Sequence, residues 1–158
     1  SGFNYACVRD EFYLWKSNET RKNVKKILIT FGGTDPKNMT LNILKTISKT
    51  QFYDIEFTVI IGIGNLNEKE ISKFVLLMIK SRFMIKIIRN SDIMAKHISD
   101  ADFVITGNGR TVFEIASLNI PMIVISVNQQ ENKHSFAKDS KGTLYIKKTN
   151  KYFKLLLI

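Results

Sequence analysis

The stretch KILITFGGTDP, residues 26–36, decides the fold, because it runs from an apolar segment through two glycines towards a helix. Residues 26–31 have the β-branched, apolar composition of a buried strand. Gly32 and Gly33 end that strand. Residues 38–49 then carry apolar side chains at the spacing of one helical face. The stretch therefore predicts a strand, a tight turn and a helix in succession.

The same unit recurs along the chain. Strands are predicted at 26–31, 55–61, 84–88, 102–105, 122–125 and 144–146, and helices at 38–49, 68–80, 91–99, 110–118 and 133–138. This alternation indicates βαβ units and a parallel sheet. The nearly continuous apolar composition is that of strands covered by helices on both faces. The predicted fold class is therefore α/β, a doubly wound, mainly parallel Rossmann-like sheet, with its ligand site beyond the carboxyl ends of the strands.

The composition is that of a globular protein rather than a membrane-spanning or disordered one. The 158 residues fit one domain, and 44% of them are hydrophobic and 24% charged. The sequence contains no apolar run of 18 residues and begins without a signal-peptide pattern. The single cysteine, Cys7, has no internal partner for a disulfide. These features predict a cytoplasmic protein.

The chain is strongly basic, with a formal net charge of +10 and a pI near 9.7. The lysines are scattered along the sequence, which favours a solvated surface. Attraction to an anionic ligand, or peripheral association with an anionic membrane, is the alternative. A nucleic-acid-binding protein is disfavoured, because the sequence contains no recognised nucleic-acid-binding motif.

Three loops follow predicted strands and carry the candidate chemistry. In the first, Gly32 and Gly33 permit positive φ and close approach of a ligand to the backbone. The helix that follows offers free N–H groups to a phosphate or a sugar. The alternative is a structural turn in which Thr34 or Asp35 caps the helix and Pro36 is its first residue. The loop matches neither a Walker motif nor a GxGxxG motif.

The second loop, residues 106–114, again opens from a strand through glycines into a helix. Backbone N–H groups near Asn108 to Thr111 have the arrangement that can hold a diphosphate, with the Thr111 hydroxyl as a further donor. Glu114 lies about one turn into the helix, where a carboxylate can accept hydrogen bonds from two ribose hydroxyls. The alternative is that Glu114 only complements the helix dipole.

The third loop, residues 126–132, contains a cluster of amides that suits sugar hydroxyls, although a polar surface loop has the same composition. His97 is predicted to be a packing or surface residue. His134 follows the amides and is a weaker candidate for a ligand contact. The sequence contains no metal-ligand cluster and no Ser-His-Asp pattern, so neither a metal nor a cofactor is predicted.

Together and in this order, the loops resemble the C-terminal domain of glycosyltransferase-B-fold enzymes. The resemblance covers about residues 2–146 and is closest to the UDP-sugar hydrolases of the pseudaminic acid pathway and to spore-coat polysaccharide proteins. The peptidoglycan N-acetylglucosaminyl transferase is a more distant relative. The matching segments are 5–12, 27–42, 94–102, 108–116, Pro121 and 128–129.

The resemblance implies a division of roles among these loops. The backbone near the third strand would hold the base, residues 107–111 the diphosphate, and Glu114 the ribose. The first and third loops would face the phosphates or the sugar. The implied binding residues are Gly32, Gly33, Thr34, Asn90, Ser91, Gly107, Asn108, Gly109, Arg110, Thr111, Glu114, Asn128 and Gln129.

One departure from the transferase relatives favours the hydrolase-like branch. Those relatives have a Ser and a further Gly where this chain has Thr34, Asp35 and Pro36. In the family, the catalytic residue belongs to the N-terminal domain, so no catalytic residue is expected here. Residues 1–24 are then predicted to be an interdomain segment left from a truncated N-terminal domain. Residues 25–158 would form the nucleotide-sugar-binding domain, cut at its C-terminus.

The leading hypothesis is that the chain positions a UDP-sugar while the N-terminal domain of the same parent protein directs water or an acceptor hydroxyl to the sugar. The chain alone would then have little or no activity. The alternative is a non-catalytic binding or regulatory module, fused to or partnered with another enzyme such as a sugar cytidylyltransferase. The parent reading frame would separate the two hypotheses.

Overall fold

The computed structural model describes residues 7–16, 23–139 and 141–147, which form a six-stranded sheet flanked by helices. The elements are α1 (Glu11–Leu14), β1 (Lys26–Thr30), α2 (Met39–Ile47), β2 (Glu56–Ile61), α3 (Glu68–Lys80), β3 (Met84–Arg89), α4 (Met94–Ser99), β4 (Phe103–Gly107), α5 (Thr111–Ser117), β5 (Met122–Ser126), α6 (Phe136–Asp139) and β6 (Thr143–Lys147). A 3₁₀ turn, Glu131–Lys133, precedes α6. The apolar tail at 155–158 lies outside the described residues.

The strand order is β3-β2-β1-β4-β5-β6, and each neighbouring pair is parallel. The chain winds outward from β1 to β3, then crosses back to β4 and winds the other way. The reversal lies between β1 and β4, where Thr30 is paired with Thr106. Open α/β sheets bind ligands outside the carboxyl ends of the strands at such a reversal.

Two hydrophobic cores cover the two faces of the sheet. Ile29 faces the core formed with α2 and α3, whereas its neighbour Leu28 faces the core formed with α1, α4, α5 and α6. Both side chains are fully buried. Successive residues of a strand point to opposite faces, so this burial on both sides is what a doubly wound sheet requires. The predicted fold class is confirmed.

The start of α2 differs from the structural turn considered in the sequence. The helix begins at Met39, so neither Thr34 nor Asp35 is its N-cap and Pro36 is not its first residue. Asp35 and Asn38 both have positive φ, which takes the backbone off the helical path. The buried Asp35 carboxylate nevertheless accepts hydrogen bonds from the N–H groups of Met39 (2.8 Å) and Thr40 (2.9 Å). It therefore caps the helix from a distance.

The single helix predicted at 133–138 is also wrong, because the chain forms a 3₁₀ turn and then the short α6. His134, between the two, is extended, with φ −73° and ψ 115°. Its carbonyl oxygen accepts a hydrogen bond from the Asn108 side-chain amide at 3.1 Å, and its ring Nδ1 lies 2.9 Å from the Asn108 carbonyl oxygen. These contacts with the β4–α5 loop take the place of helical hydrogen bonds.

The segment before β1 packs onto the domain. Phe12 of α1 is buried in the same core as α5. Trp15 lies under the Lys96 ammonium, with 5.8 Å between Nζ and the ring centroid. Residues 1–6 and 17–22 of this predicted interdomain segment lie outside the described residues. In the described part of the chain, the helices are too short or too polar to cross a bilayer.

Candidate functional site

An open cleft of about 1040 Å³ lies at the carboxyl ends of the strands, beside the reversal between β1 and β4. Its wall combines backbone from three loops with the beginning of α5 and the segment before α1. The residues that line it are Cys7, Arg9, Thr30, Gly32, Gly33, Ile60, Ile61, Gly62, Ile63, Asn90, Ser91, Asp92, Met94, Arg110, Thr111, Phe113 and Glu114. The cleft is large enough for a small-molecule ligand of nucleotide size.

The loop that contains Gly32 and Gly33 packs on the β2–α3 loop on one side and is open to the cleft on the other. A Cβ on Gly62 would lie 2.6 Å from the Gly33 carbonyl oxygen, so only glycine fits there. The Gly64 N–H donates to that same oxygen at 3.0 Å. A Cβ on Gly33 would have no protein atom within 4 Å. The loop is thus fixed by the β2–α3 loop while its outer surface stays accessible to a ligand.

Thr34 does not line the cleft. It is exposed, and a Cβ on Gly64 would lie 3.0 Å from its Cγ2 atom. Of the four polar or glycine positions after Phe31, the structure therefore brings Gly32 and Gly33 to the cleft, while Asp35 serves the start of α2.

The second loop divides into a structural part and a cleft-facing part. Gly107 and Asn108 do not line the cleft. Asn108 is 2% exposed, and its Nδ2 donates to the carbonyl oxygens of Glu131 (2.7 Å) and His134 (3.1 Å). Its backbone N–H points to Glu131 Oε2 at 3.4 Å. Asn108 therefore joins this loop to the segment after β5.

The cleft-facing part is the beginning of α5. Arg110 and Thr111 line the cleft, and no side chain caps the helix among the described residues. Gly109 is not in the lining, but a Cβ there would meet no protein atom within 4 Å, so there is open space beside its Cα. This part of the loop offers a cation, a hydroxyl and exposed backbone to an anionic ligand.

Glu114 extends from α5 into the cleft wall, and its side chain is 18% exposed. Its Oε1 lies 3.5 Å from an Nη2 of Arg9, which also contacts Glu11 at 2.9 Å. Burial raises the pKa of Glu114, while the charge of Arg9 opposes that rise. An ionised carboxylate here has lone pairs to accept hydrogen bonds from ligand hydroxyls.

Asn90 and Ser91 reach the cleft from the carboxyl end of β3. Asn90 has a positive φ of 46°, and its N–H donates to the Ile61 carbonyl oxygen at 3.1 Å. The Ser91 hydroxyl accepts a hydrogen bond from the Ile93 N–H at 3.2 Å. These contacts hold the β3–α4 loop at the edge of the cleft, beside the lining residues Ile60 and Ile61 at the end of β2.

The amides of the third loop lie outside the cleft wall. Asn128 and Gln129 are exposed and are not among the lining residues. Asn128 instead bonds to Glu131: its Nδ2 donates to Oε1 at 3.1 Å, and its Oδ1 accepts from the Glu131 N–H at 2.8 Å. Glu131 Oε2 also accepts from the Val127 N–H at 2.9 Å. The Asn128 side-chain amide, which was predicted to face the sugar or phosphates, therefore forms hydrogen bonds within its own loop.

Neither histidine lines the cleft. Burial, followed by the charge of Lys96, lowers the pKa of His97. His134 is held by Asn108 through its ring and its carbonyl. Within residues 7–16, 23–139 and 141–147, no three His, Cys, Asp or Glu side chains come together as a metal site.

Several lining residues were missed by the sequence reasoning. Arg9 and Cys7 lie in a segment without periodicity, and only tertiary packing brings them to the cleft. Phe113 packs against Phe136 with 4.7 Å between centroids and the rings tilted by 39°, a contact that a helical pattern alone does not indicate. Gly62 carried a usable signal, since a glycine directly after a predicted strand often marks close backbone approach.

Comparison with known proteins identifies relatives of this chain. A family model described as the glycosyltransferase family 28 C-terminal domain matches residues 26–156. An uncharacterized protein of Methanocaldococcus jannaschii is 36% identical over 137 residues, which are 84% of this chain and 28% of that protein. The UDP-2,4-diacetamido-2,4,6-trideoxy-beta-L-altropyranose hydrolase of Campylobacter jejuni is 30% identical over 87% of this chain and 47% of its own length.

Two further similarities are weaker in sequence. The spore coat polysaccharide biosynthesis protein SpsG of Bacillus subtilis is 23% identical over 87% of this chain and 39% of its own length. The crystal structure of Acinetobacter baumannii MurG superposes with a TM-score of 0.66 at 16% identity, covering 93% of this chain and 42% of that one. That similarity shows the fold alone. The chain spans less than half the length of each of these proteins.

Proposed function

Because the chain belongs to the glycosyltransferase family 28 C-terminal domain family, we propose that its cleft binds a nucleotide sugar, with UDP as the nucleotide. The position of Glu114 carries the proposal. Its carboxylate lies in the cleft wall one turn into α5, with Arg110 and Thr111 at the helix start beside it. A carboxylate beside a cation and open backbone matches a ligand in which hydroxyls adjoin phosphates.

The other lining residues complete the assignment. Asn90 and Ser91 would hold the base at the β3–α4 loop, and the backbone of Gly32 and Gly33 would face the sugar or its phosphate. The open Cβ position of Gly33 supports this, because a ligand can approach the backbone there. Five further residues do not line the cleft, so their contacts with the ligand stay a prediction: Thr34, Gly107, Asn108, Asn128 and Gln129.

The proposed reaction is hydrolysis or glycosyl transfer at the sugar's anomeric carbon. An oxygen of water or of an acceptor forms a bond to that carbon, the bond to the diphosphate oxygen breaks, and UDP leaves. Arg110 and the backbone around Thr111 would stabilise the charge that develops on the departing diphosphate. The proton of the attacking group would pass to a base on another part of the parent protein.

Two observations support placing the base elsewhere. The carboxylates in the described cleft wall are Asp92, which is exposed to solvent, and Glu114, which is engaged by Arg9. The chain also covers only 47% of the Campylobacter hydrolase, whose name gives a UDP-sugar substrate. The same observations leave a non-catalytic binding module as the second candidate, in which the parent protein binds UDP-sugars without turnover.

The test is a calorimetric titration of the 158-residue chain with UDP, UMP and CMP. We expect UDP to bind more tightly than UMP, and Glu114→Gln to weaken UDP binding about tenfold through loss of a charged hydrogen bond. Glu70→Gln is the matched control, because Glu70 is exposed on α3 away from the cleft. Equal weakening by both substitutions would refute the site. Turnover by the full-length parent then separates the enzyme from the binding module.

A further inference from the structure

The Glu131 carboxylate joins the second and third loops just beyond the last pair of residues in strands β4 and β5. The ladder between these strands ends where Gly107 is paired with Ile125. Beyond that pair, the N–H groups of Val127 (2.9 Å) and Asn108 (3.4 Å) both donate to Glu131 Oε2. One carboxylate oxygen therefore continues the connection between the two strands past the end of their ladder.

Further contacts fix Glu131 in this position. Its second carboxylate oxygen, Oε1, accepts from Asn128 Nδ2 at 3.1 Å, and Asn128 Oδ1 accepts from the Glu131 N–H at 2.8 Å. The Glu131 carbonyl oxygen accepts from Asn108 Nδ2 at 2.7 Å. A Cβ on Gly107 would lie 3.9 Å from Oε2, so the carboxylate lies directly against the end of β4.

N–H groups rather than cations hold the charge of Glu131. Within residues 7–16, 23–139 and 141–147, no Lys, Arg or His side chain forms an ion pair with it. Hydrogen bonds that N–H groups donate to a carboxylate are stronger than those between neutral groups. A glutamine at this position would provide one acceptor oxygen where Glu131 provides two, so the loops would lose part of their connection.

Asn108 carries this connection to the cleft wall. Only Gly109 separates it from Arg110, and Arg110 and Thr111 line the cleft at the start of α5. Glu131 does not line the cleft, so it can act on a ligand only through these neighbours. Binding groups need to be held to within about 0.5 Å of their productive geometry, and the contacts of Glu131 with Asn108 restrict this part of the loop.

We propose that Glu131 is a positioning residue for the diphosphate of the nucleotide sugar, because it fixes the β4–α5 loop from outside the cleft. The inference rests on the proposed function, since it takes Arg110 and Thr111 as the groups that face the diphosphate. It separates the role of Glu131 from that of Glu114, which is assigned to the ribose. Loss of the Glu131 carboxylate should therefore weaken the binding of UDP and leave the binding of uridine almost unchanged.

The test is a titration of the 158-residue chain and its Glu131→Gln variant with UDP and with uridine, followed by amide chemical shifts at a temperature where both proteins are folded. We expect Glu131→Gln to weaken UDP binding about tenfold, as for a lost charged hydrogen bond, and uridine binding less than about twofold. Partial unfolding of the variant would weaken both ligands by the same factor, so the ratio of the two dissociation constants separates positioning from stability.

Glu70→Gln is the matched control, because it makes the same change in net charge outside the cleft wall. The Glu70 carboxylate also accepts a hydrogen bond from an asparagine amide, Asn38 Nδ2, at 3.3 Å. Its loss should change neither affinity by more than about twofold.

Two further variants sharpen the contrast. Glu114→Gln should weaken UDP and uridine by the same factor, about tenfold, because both ligands contain the ribose. Glu131→Asp keeps the charge on a shorter side chain, so it should show the same selective loss of UDP binding if Glu131→Gln fails to fold.

Three results with Glu131→Gln would overturn this inference alone. They are equal weakening of UDP and uridine, unchanged UDP binding, and tighter UDP binding, which would mean that the carboxylate competes with the diphosphate for N–H groups. Absence of both UDP and uridine binding to the unaltered chain would instead overturn the proposed function, and this inference with it.

Discussion

Arg9 and Glu114 form an ion pair at the cleft, with 3.5 Å between Nη2 and Oε1, although strands β1 to β4 all lie between them in sequence. Arg9 also contacts Glu11, so its guanidinium is shared between two carboxylates. This arrangement makes the protonation of Glu114 depend on a residue outside the three loops. The first two predictions follow from it.

Removing Arg9 should move the pH dependence of nucleotide binding. Burial raises the pKa of Glu114 and Arg9 opposes that rise, so Arg9→Gln should raise the pKa further. If the ionised carboxylate binds the ribose, UDP affinity falls on acidification, and in Arg9→Gln it should begin to fall at a higher pH. Titration of the dissociation constant against pH measures the shift. Glu11→Gln should move the profile the opposite way, since Glu11 raises the pKa of Glu114. Identical profiles would contradict the assignment of Glu114 to the ligand.

Glu114 should also make the fold less stable at neutral pH than at acidic pH. Its folded pKa is raised above the ordinary 4.5, so the folded state binds the proton more tightly than the unfolded state. The favourable contribution is fully present below the unfolded value and is lost as pH rises through the folded one. Glu114→Gln should therefore gain stability relative to wild type between pH 4 and pH 7. Urea unfolding of both proteins at pH 4 and pH 7 tests the sign, and a Glu114→Gln protein that gains stability relative to wild type as the pH falls would contradict the prediction.

Gly62 of the β2–α3 loop and Gly33 of the first loop should respond differently to alanine. Gly62→Ala places a Cβ against the Gly33 carbonyl oxygen, so we expect a loss of about 1–3 kcal/mol in the free energy of unfolding. Gly33→Ala meets no protein atom and should leave stability nearly unchanged while weakening nucleotide binding. Denaturant unfolding and calorimetry on both variants distinguish the support from the binding surface. A stable Gly62→Ala protein would show that the two loops separate easily.

The asparagines of the second and third loops should differ in the same way. Asn108→Ala removes the side-chain donor to the His134 carbonyl oxygen and leaves the Glu131 carbonyl oxygen with the His134 N–H as its donor, for an expected loss of about 2–3 kcal/mol. Asn128→Ala removes exposed contacts and should change the free energy of unfolding by about 0.5 kcal/mol or less. Equal losses measured in urea would contradict the structural role of Asn108.

The strands could be predicted because helices cover both of their faces, which makes each strand an unbroken apolar run. The clearest miss was at β4, which continues to Gly107 instead of ending at residue 105, because the polar Thr106 is buried between β1 and β5. A buried threonine in a ladder looks like the start of a loop when only hydrophobicity is considered.

The residues that line the cleft could be predicted where backbone conformation places them there. They could not be predicted where a side chain forms hydrogen bonds or ion pairs with other protein residues. Gly32, Gly33 and the start of α5, which were predicted from glycines after strands, line the cleft, and their binding of a ligand stays a prediction. Asn128 was predicted to face the sugar or phosphates, but its side-chain amide donates a hydrogen bond to the carboxylate of Glu131, three residues later. Arg9 could not be found at all, because its contact with Glu114 depends on how α1 packs against α5.

The contact between Gly62 and the Gly32–Gly33 loop also limits which substitutions can accumulate in this fold during evolution. A larger residue at position 62 can be accepted only if the first loop moves outward, and that movement would narrow the cleft. Substitutions in these two loops should therefore be inherited as a pair among descendants of this chain. A lineage that changes one loop alone would lose either the fold or the ligand.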